Sequence, residues 1–270
     1  MKARGRPGII AGMNPQDYYL RQVLPRLENP PLPRYPAISL LPRADSRPLG
    51  DCELSMLVGL TGCGKSTTLA QLGFGGTPSR REVADCIAIP YAQALAGEAL
   101  LPLHDRARRF EATRRFAQAV PGGMAAAFSW LWLRRETQMP LLTEGIRGDA
   151  ELRYALERFP HWRVVELALP PLHRLRRLSV RRDAFDQVDA AADFDFLPLA
   201  LQDEARALLI NGEINQRALA ILRAEARNYG LNAFAAGGDY PNYQRLDVVD
   251  MRPETVTDAV RELLALPCPR

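Results

Sequence analysis

Lysine is nearly missing from this sequence. It occurs only at Lys2 and Lys65, and the other 33 of the 35 cationic residues are arginine. A chain that writes almost every cation as a planar guanidinium keeps one internal ammonium, and the two groups do not exchange freely where a compact point charge is needed. Cysteine is scarce as well. Cys52, Cys63, Cys86 and Cys268 stand apart without a Cys-x-x-Cys pair, and three histidines are too few to complete a zinc site with them. Reduced thiols are the expectation. No apolar run approaches the roughly 18 residues that span a bilayer. Lys2, Arg4 and Arg6 are followed by Pro7, Gly8 and then only Ile9-Ile10-Ala11, too short for a signal-peptide core. These absences predict a cytoplasmic chain with no membrane partner. Nor does one charge sign dominate: 35 Lys and Arg face 31 Asp and Glu, a net charge of +4. Without a long basic run, nucleic acid is a possible partner but not the favoured one.

What is present is an ordinary folded composition, 270 residues with 47% hydrophobic and 24% charged, enough for one or two domains. The first 50 residues hold nine of the 22 prolines, and Asn29-Pro30-Pro31-Leu32-Pro33 suits neither helix nor central strand. The expected organisation is a Pro-rich, partly extended arm over 1–50, with a short helix at 17–27 and an edge strand at 38–41, then a domain over 51–270. In that domain strands at 54–58, 86–90, 141–143, 164–169 and 246–250 alternate with helices. The helices are expected at 66–72, at 104–138 with a break at Pro121-Gly122-Gly123, at 150–159, at 172–182, twice within 200–229, and at 254–266. The alternation predicts a three-layer α/β fold with a parallel sheet of about five strands. Trp130-Leu131-Trp132 reads as core.

The segment Gly59-Leu60-Thr61-Gly62-Cys63-Gly64-Lys65-Ser66 fits G-x-x-x-x-G-K-[ST] at every position, after a strand-like run and before a helix-like one. That context predicts a phosphate loop and a P-loop NTPase fold. Backbone N–H groups of Gly59, Thr61, Gly62, Cys63 and Gly64 would turn inward onto phosphate oxygens, and the helix start adds partial positive charge. Lys65 would reach the β- and γ-phosphates of ATP, Ser66 would ligate Mg2+, and Thr67 would flank it. Such a loop works with a carboxylate on a neighbouring strand. Pro140-Leu141-Leu142-Thr143-Glu144-Gly145 supplies Glu144 for the metal, with Gly145 allowing close approach of the nucleotide and Asp250 as a weaker rival. Arg147 suits an acceptor phosphate.

Arg174, Arg177 and Arg181 share one face of the helix after the fourth strand. They face either phosphate or only solvent. Arg177-Leu178-Ser179-Val180-Arg181-Arg182 resembles the R-L-x-x-R-R stretch before the lid of adenylate-kinase-like nucleoside monophosphate kinases. The resemblance implies that Arg177 packs on adenine and that Arg181 contacts phosphates and acts in catalysis. Thr143-Glu144-Gly145-Ile146-Arg147, Phe159-Pro160 and the following Pro-x-x-Arg-x-x-Arg resemble P-loop kinases of the dephospho-CoA-kinase-like group, as do Leu246–Asp250 and Pro253-Glu254. The implied activity is transfer of the ATP γ-phosphoryl to a small, nucleotide-like acceptor, with Lys65, Glu144 and Arg181 as catalytic residues. A nucleotide-binding switch or slow ATPase acting through a protein partner, and a polynucleotide end kinase, remain open beside it.

Overall fold

The computed structural model describes residues 13–27, 35–73, 77–137, 140–180, 193–231 and 233–265. Helix α1 (Pro15–Tyr18) starts at a proline behind an Asn14 cap and continues as a π-helical turn, Tyr19–Val23, and a 3-10 turn, Leu24–Arg26. Strands β1 (Ile38–Ser39), β2 (Ser46–Pro48) and β3 (Leu54–Val58) follow, then α2 (Lys65–Leu72). Next come α3 (Arg80–Val83), the π-helical turn Ala84–Ala88, α4 (Ile89–Leu95), α5 (Arg106–Ala119) and α6 (Gly123–Ser129). The chain continues through β4 (Trp132–Arg134), β5 (Leu142–Thr143), α7 (Asp149–Arg158), β6 (Trp162–Ala168) and α8 (Pro171–Val180). It closes with α9 (Leu199–Ile210), α10 (Gln216–Tyr229), β7 (Tyr243–Asp247) and α11 (Pro253–Leu263).

The fold is α/β. Strand order is β5-β3-β6-β7, and the registered pairs run parallel, Ser55 opposite Leu142 and Val164 opposite Tyr243. All five residues of β3 are buried, as a central parallel strand requires, whereas the edge strand β7 exposes Gln244, Arg245 and Asp247. Among the described residues, four parallel strands stand where five are expected. The missing one, at 86–90, is helical. Ser79 and Glu82 form a reciprocal capping box that starts a helix at Arg80, and the helical run carries on to Leu95. Pro90, which has no N–H to donate, follows directly on the π-helical turn. An apolar run as short as Cys-Ile-Ala-Ile has no period that separates buried strand from buried helix.

The chain divides into two compact units. The first comprises residues 1–56, 75–146 and 150–162. Its antiparallel sheet, β1-β4-β2, places Leu133 opposite both Ile38 and Arg47. Strands β2 and β4 had no signal in the sequence; Trp132–Arg134 read there as helix. The break at Pro121-Gly122-Gly123 falls between α5 and α6 as expected. The stretch expected to be an arm supplies core residues: Tyr19 is 1% exposed and Val23 fully buried. Tyr19 donates its hydroxyl to the Cys86 carbonyl at 2.9 Å, and its ring lies 5.9 Å from that of Trp130. Phe116 meets Tyr91 and Trp130 edge to face, and Tyr91 lies tilted against Trp130, so the Trp130 region is core as read.

The second unit comprises residues 57–74, 147–149 and 163–270. Here α8, α9 and α10 bury one apolar cluster, including Leu175, Leu178, Leu208, Leu219 and Leu222. Helix α11 packs on α2, where the Thr257 hydroxyl donates to Gln71 at 2.6 Å. Among the described residues, no helix is long and apolar enough to cross a membrane.

Candidate functional site

The 59–66 segment leaves β3 and enters α2 through three glycines with positive φ: 143° at Gly59, 91° at Gly62 and 105° at Gly64. Only glycine holds such angles without strain. Space makes the same demand at Gly59, where a Cβ would lie 2.6 Å from Cys63 Sγ and 2.7 Å from the Leu167 carbonyl oxygen. The loop is therefore a tight curl against β6, and at Gly62 it meets α8, where a Cβ would sit 3.2 Å from Leu178 Cγ.

The polar groups of the loop divide in two. Thr61 faces a buried ion pair: its N–H donates to Glu225 Oε1 at 3.0 Å, its hydroxyl donates to the same carboxylate, and its carbonyl accepts from Arg174 Nε at 2.9 Å. The other half is different. Among the described residues, no backbone carbonyl accepts from the N–H of Gly62, Gly64, Lys65 or Ser66. The first N–H groups of any helix lack internal partners, and here they follow a glycine curl. Lys65 folds back over the loop, its ammonium donating to the carbonyls of Gly59 at 2.7 Å and Leu60 at 3.2 Å. Cys63 is buried, 3.8 Å from that ammonium. The side chains of Ser66 and Thr67 are exposed, and Thr68 anchors the helix start by donating to the Gly64 carbonyl at 3.3 Å.

Three arginines surround this curl. Arg177 Nη1 lies 4.0 Å from the position of a Cβ on Gly64, while Nη2 donates to the Val248 carbonyl at 3.1 Å. The helix face thus brings Arg177 beside the loop, where the resemblance implied contact with adenine. Arg174 is wholly buried with Glu225, and burial lowers its pKa from the ordinary guanidinium value. Burial pushes the Glu225 carboxyl up, but Arg174 and the Thr61 donors outweigh it, with Arg147 adding to them, and hold it below the usual carboxylate range. Arg147 therefore lies within electrostatic reach of the loop's support. Arg181 lies outside the described residues.

No protein-family model matches this chain, and no curated protein gives a significant match. The geometry alone carries the functional reading.

Glu144 belongs to the first unit and the glycine loop to the second. Glu144 ends β5, and its carbonyl accepts from Arg80 N–H at 3.2 Å. The glycine after it has a packing reason: a Cβ on Gly145 would lie 2.1 Å from the Phe128 ring. Asp250 is exposed. Among the described residues, no three His, Cys, Asp or Glu side chains gather as a metal site. A cleft of about 630 Å3 in the second unit is lined by Asp149, Asp195, Phe196, Arg227, Tyr229 and Leu231, several of them directly following Glu225 on α10.

Glu225 is the residue that sequence reasoning missed. It lies 164 positions from Thr61. Its signal is its place on the apolar stripe of α10, one helical turn after Ile221 and Leu222, where an unpaired carboxylate is costly. Arg174, beside Leu175 and Leu178 on α8, carries the same signal.

Proposed function

We propose that this chain binds ATP with Mg2+ on the 59–66 loop and transfers its γ-phosphoryl group to a small acceptor, as a P-loop kinase similar to the nucleoside monophosphate and dephospho-CoA-kinase-like group. The observation that carries this reading is the loop itself. A strand ends in a curl of three positive-φ glycines, the N–H groups of Gly62, Gly64, Lys65 and Ser66 find no backbone acceptor, and the one internal lysine folds over them. Such a curl fits a polyphosphate chain, because its donors are backbone groups carried by glycines at positive φ and by the start of a helix.

In this reading the N–H groups of Gly62, Gly64, Lys65 and Ser66 hold the phosphates. Lys65 exchanges the carbonyls of Gly59 and Leu60 for phosphate oxygens, swapping neutral acceptors for charged ones. The Ser66 hydroxyl, exposed at the helix start, takes one position on Mg2+. That ion is held mostly by phosphates and water, so a cage of protein carboxylates is not required. Arg177 adds positive charge beside Gly64, and Arg147 is the residue proposed for the acceptor. ATP supplies the phosphoryl group, and the side chains contribute position and charge.

Attachment of Arg177 to the Val248 carbonyl favours a second reading. An arginine tied to the backbone is a fixed charge, which suits a slow ATPase or switch as well as a lid. ADP release from ATP and Mg2+, measured with and without candidate acceptors, separates the two. Acceptor-dependent turnover that Lys65→Ala lowers by roughly three orders of magnitude supports the kinase. Turnover that depends only on an added protein partner supports the switch. Unchanged turnover in a folded Lys65→Ala protein overturns both.

A further inference from the structure

Thr61 is gripped at both ends of its peptide environment by one buried pair. Its N–H donates to Glu225 Oε1 at 3.0 Å and Oε2 at 3.3 Å, and its carbonyl accepts from Arg174 Nε at 2.9 Å. Arg174 Nη2 in turn donates to the Glu225 carboxylate, closing a ring through the two side chains and the Thr61 backbone. The two side chains come from α8 and α10, and both are buried, Arg174 at 2% and Glu225 at 9% exposed. An apolar pair of the same size would fill this volume with less desolvation cost. It would not hold a backbone N–H and carbonyl at once.

The gripped residue lies in a permissive stretch of the chain. Gly59 and Gly62 bracket Leu60-Thr61, both with positive φ, and glycine resists few backbone rotations. Left to itself this segment would be ordered only when a ligand arrives, and affinity would be lost to that ordering. We propose that Arg174 and Glu225 are positioning residues that set the curvature of the glycine loop before any ligand binds. The consequence for binding rests on the triphosphate reading given above. The clamp also divides the loop: the Thr61 N–H and hydroxyl are committed to Glu225 and the Cys63 N–H to the Leu60 carbonyl, so the donors presented to phosphate are those of Gly62, Gly64, Lys65 and Ser66. Thr61 supports the cradle from behind, where the motif alone would place it among the phosphate contacts.

The test is hydrogen exchange, read by mass spectrometry on the full chain without nucleotide, together with ATP affinity. In Glu225→Ala the exchange rates of the 59–66 amides rise about tenfold more than those of peptides from β6 and α8 in the same unit. ATP binding weakens by about tenfold in the same protein, and Glu225→Gln, which can still accept from the Thr61 N–H, restores part of both. If Glu225→Ala does not fold, Thr61→Val carries the comparison, because it leaves the ion pair intact and removes only the hydroxyl contact. Its loop amides then exchange about threefold faster, again with β6 unchanged. A uniform rise across the unit would make the pair merely structural and overturn the proposal, as would unchanged exchange at the loop. Faster loop exchange in a protein whose wild type does not bind ATP would uphold the clamp and overturn the proposed function.

Discussion

Each unit contains an Arg–Glu pair, part-buried in the first and buried in the second, and the two pairs hold different things. In the first unit Arg80 meets Glu151 through two bonds of 2.6 and 3.0 Å, and also donates to the Gly145 carbonyl at 2.5 Å. Glu151 accepts from the Met124 N–H at 3.2 Å. That pair ties α7 to the start of α3, the start of α6 and the Gly145 carbonyl just past β5. In the second unit Arg174 and Glu225 tie α8 and α10 to Thr61, a residue between glycines. Fixing a corner of regular elements adds little that packing would not supply. Fixing a glycine curl sets a conformation that packing alone would leave open. A buried ion pair is weak evidence for stability, and the group it grips says more about its purpose.

The largest effect expected sharpens the picture of the first unit. Its rigidity rests on packing that includes the N-terminal stretch, so truncation at Ala37 removes Tyr19 and Val23 from the aromatic core. A loss on the order of 5 kcal/mol follows from emptying two such sites. Urea denaturation of the truncated chain checks it, and a midpoint equal to the full chain's would show that the core closes without these residues.

The next prediction bears on the two pairs themselves. Glu225→Ala leaves the buried Arg174 guanidinium without its carboxylate and should cost about 3–5 kcal/mol, and Glu151→Ala should cost less, because the part-buried Arg80 keeps the Gly145 carbonyl. The double replacements separate the roles. Arg80→Met with Glu151→Leu, and Arg174→Met with Glu225→Leu, should both recover most of the stability. Only the second should keep a weakened ATP affinity, because no apolar pair can grip Thr61. Equal ATP affinity in the two double variants would erase the distinction drawn here.

The smallest effect is a difference in pH dependence within the second unit. Glu225 has a folded pKa held below the unfolded value of about 4.3. Its contribution is full above that value and is lost as pH falls through the folded pKa. Glu166, half-buried on β6 and accepting from the Tyr243 hydroxyl, is pushed upward by burial, against the pull of Tyr243 and Arg245. The folded state then holds its proton more tightly, so stability falls as pH rises from the unfolded value through the raised one. Melting curves from pH 3 to 7 should therefore lose their acid-side slope in Glu225→Gln and gain stability toward neutral pH in Glu166→Gln. Slopes unchanged in both would show that neither carboxyl titrates differently in the fold.

Much of this arrangement was legible in the chain. The loop was, because its residues are contiguous and each glycine has a local backbone reason. Helices α5, α7, α8, α10 and α11 were, since apolar periodicity and a break such as Pro121-Gly122 are local signals. Strands β2 and β4 were not, because two or three residues carry no period and their pairing with β1 is set by tertiary contact. The 86–90 segment misled because an apolar run without alternation fits a buried helix equally well. The N-terminal stretch misled because proline content speaks to local conformation and says nothing of whether Tyr19 finds a core. The clamp was illegible as a pair, since its members lie 51 positions apart and only the fold makes them neighbours.

The central claim is that the 59–66 loop is a triphosphate cradle whose charge comes from Lys65. Calorimetric titration of the full chain with ATP and Mg2+, beside Lys65→Ala and with thermal melts of both, tests it most directly. The account predicts saturable one-site binding to the wild type, weakened by at least about tenfold in a Lys65→Ala protein that melts as the wild type does. Absence of ATP binding to the wild type, or equal affinity in the two proteins, would contradict it.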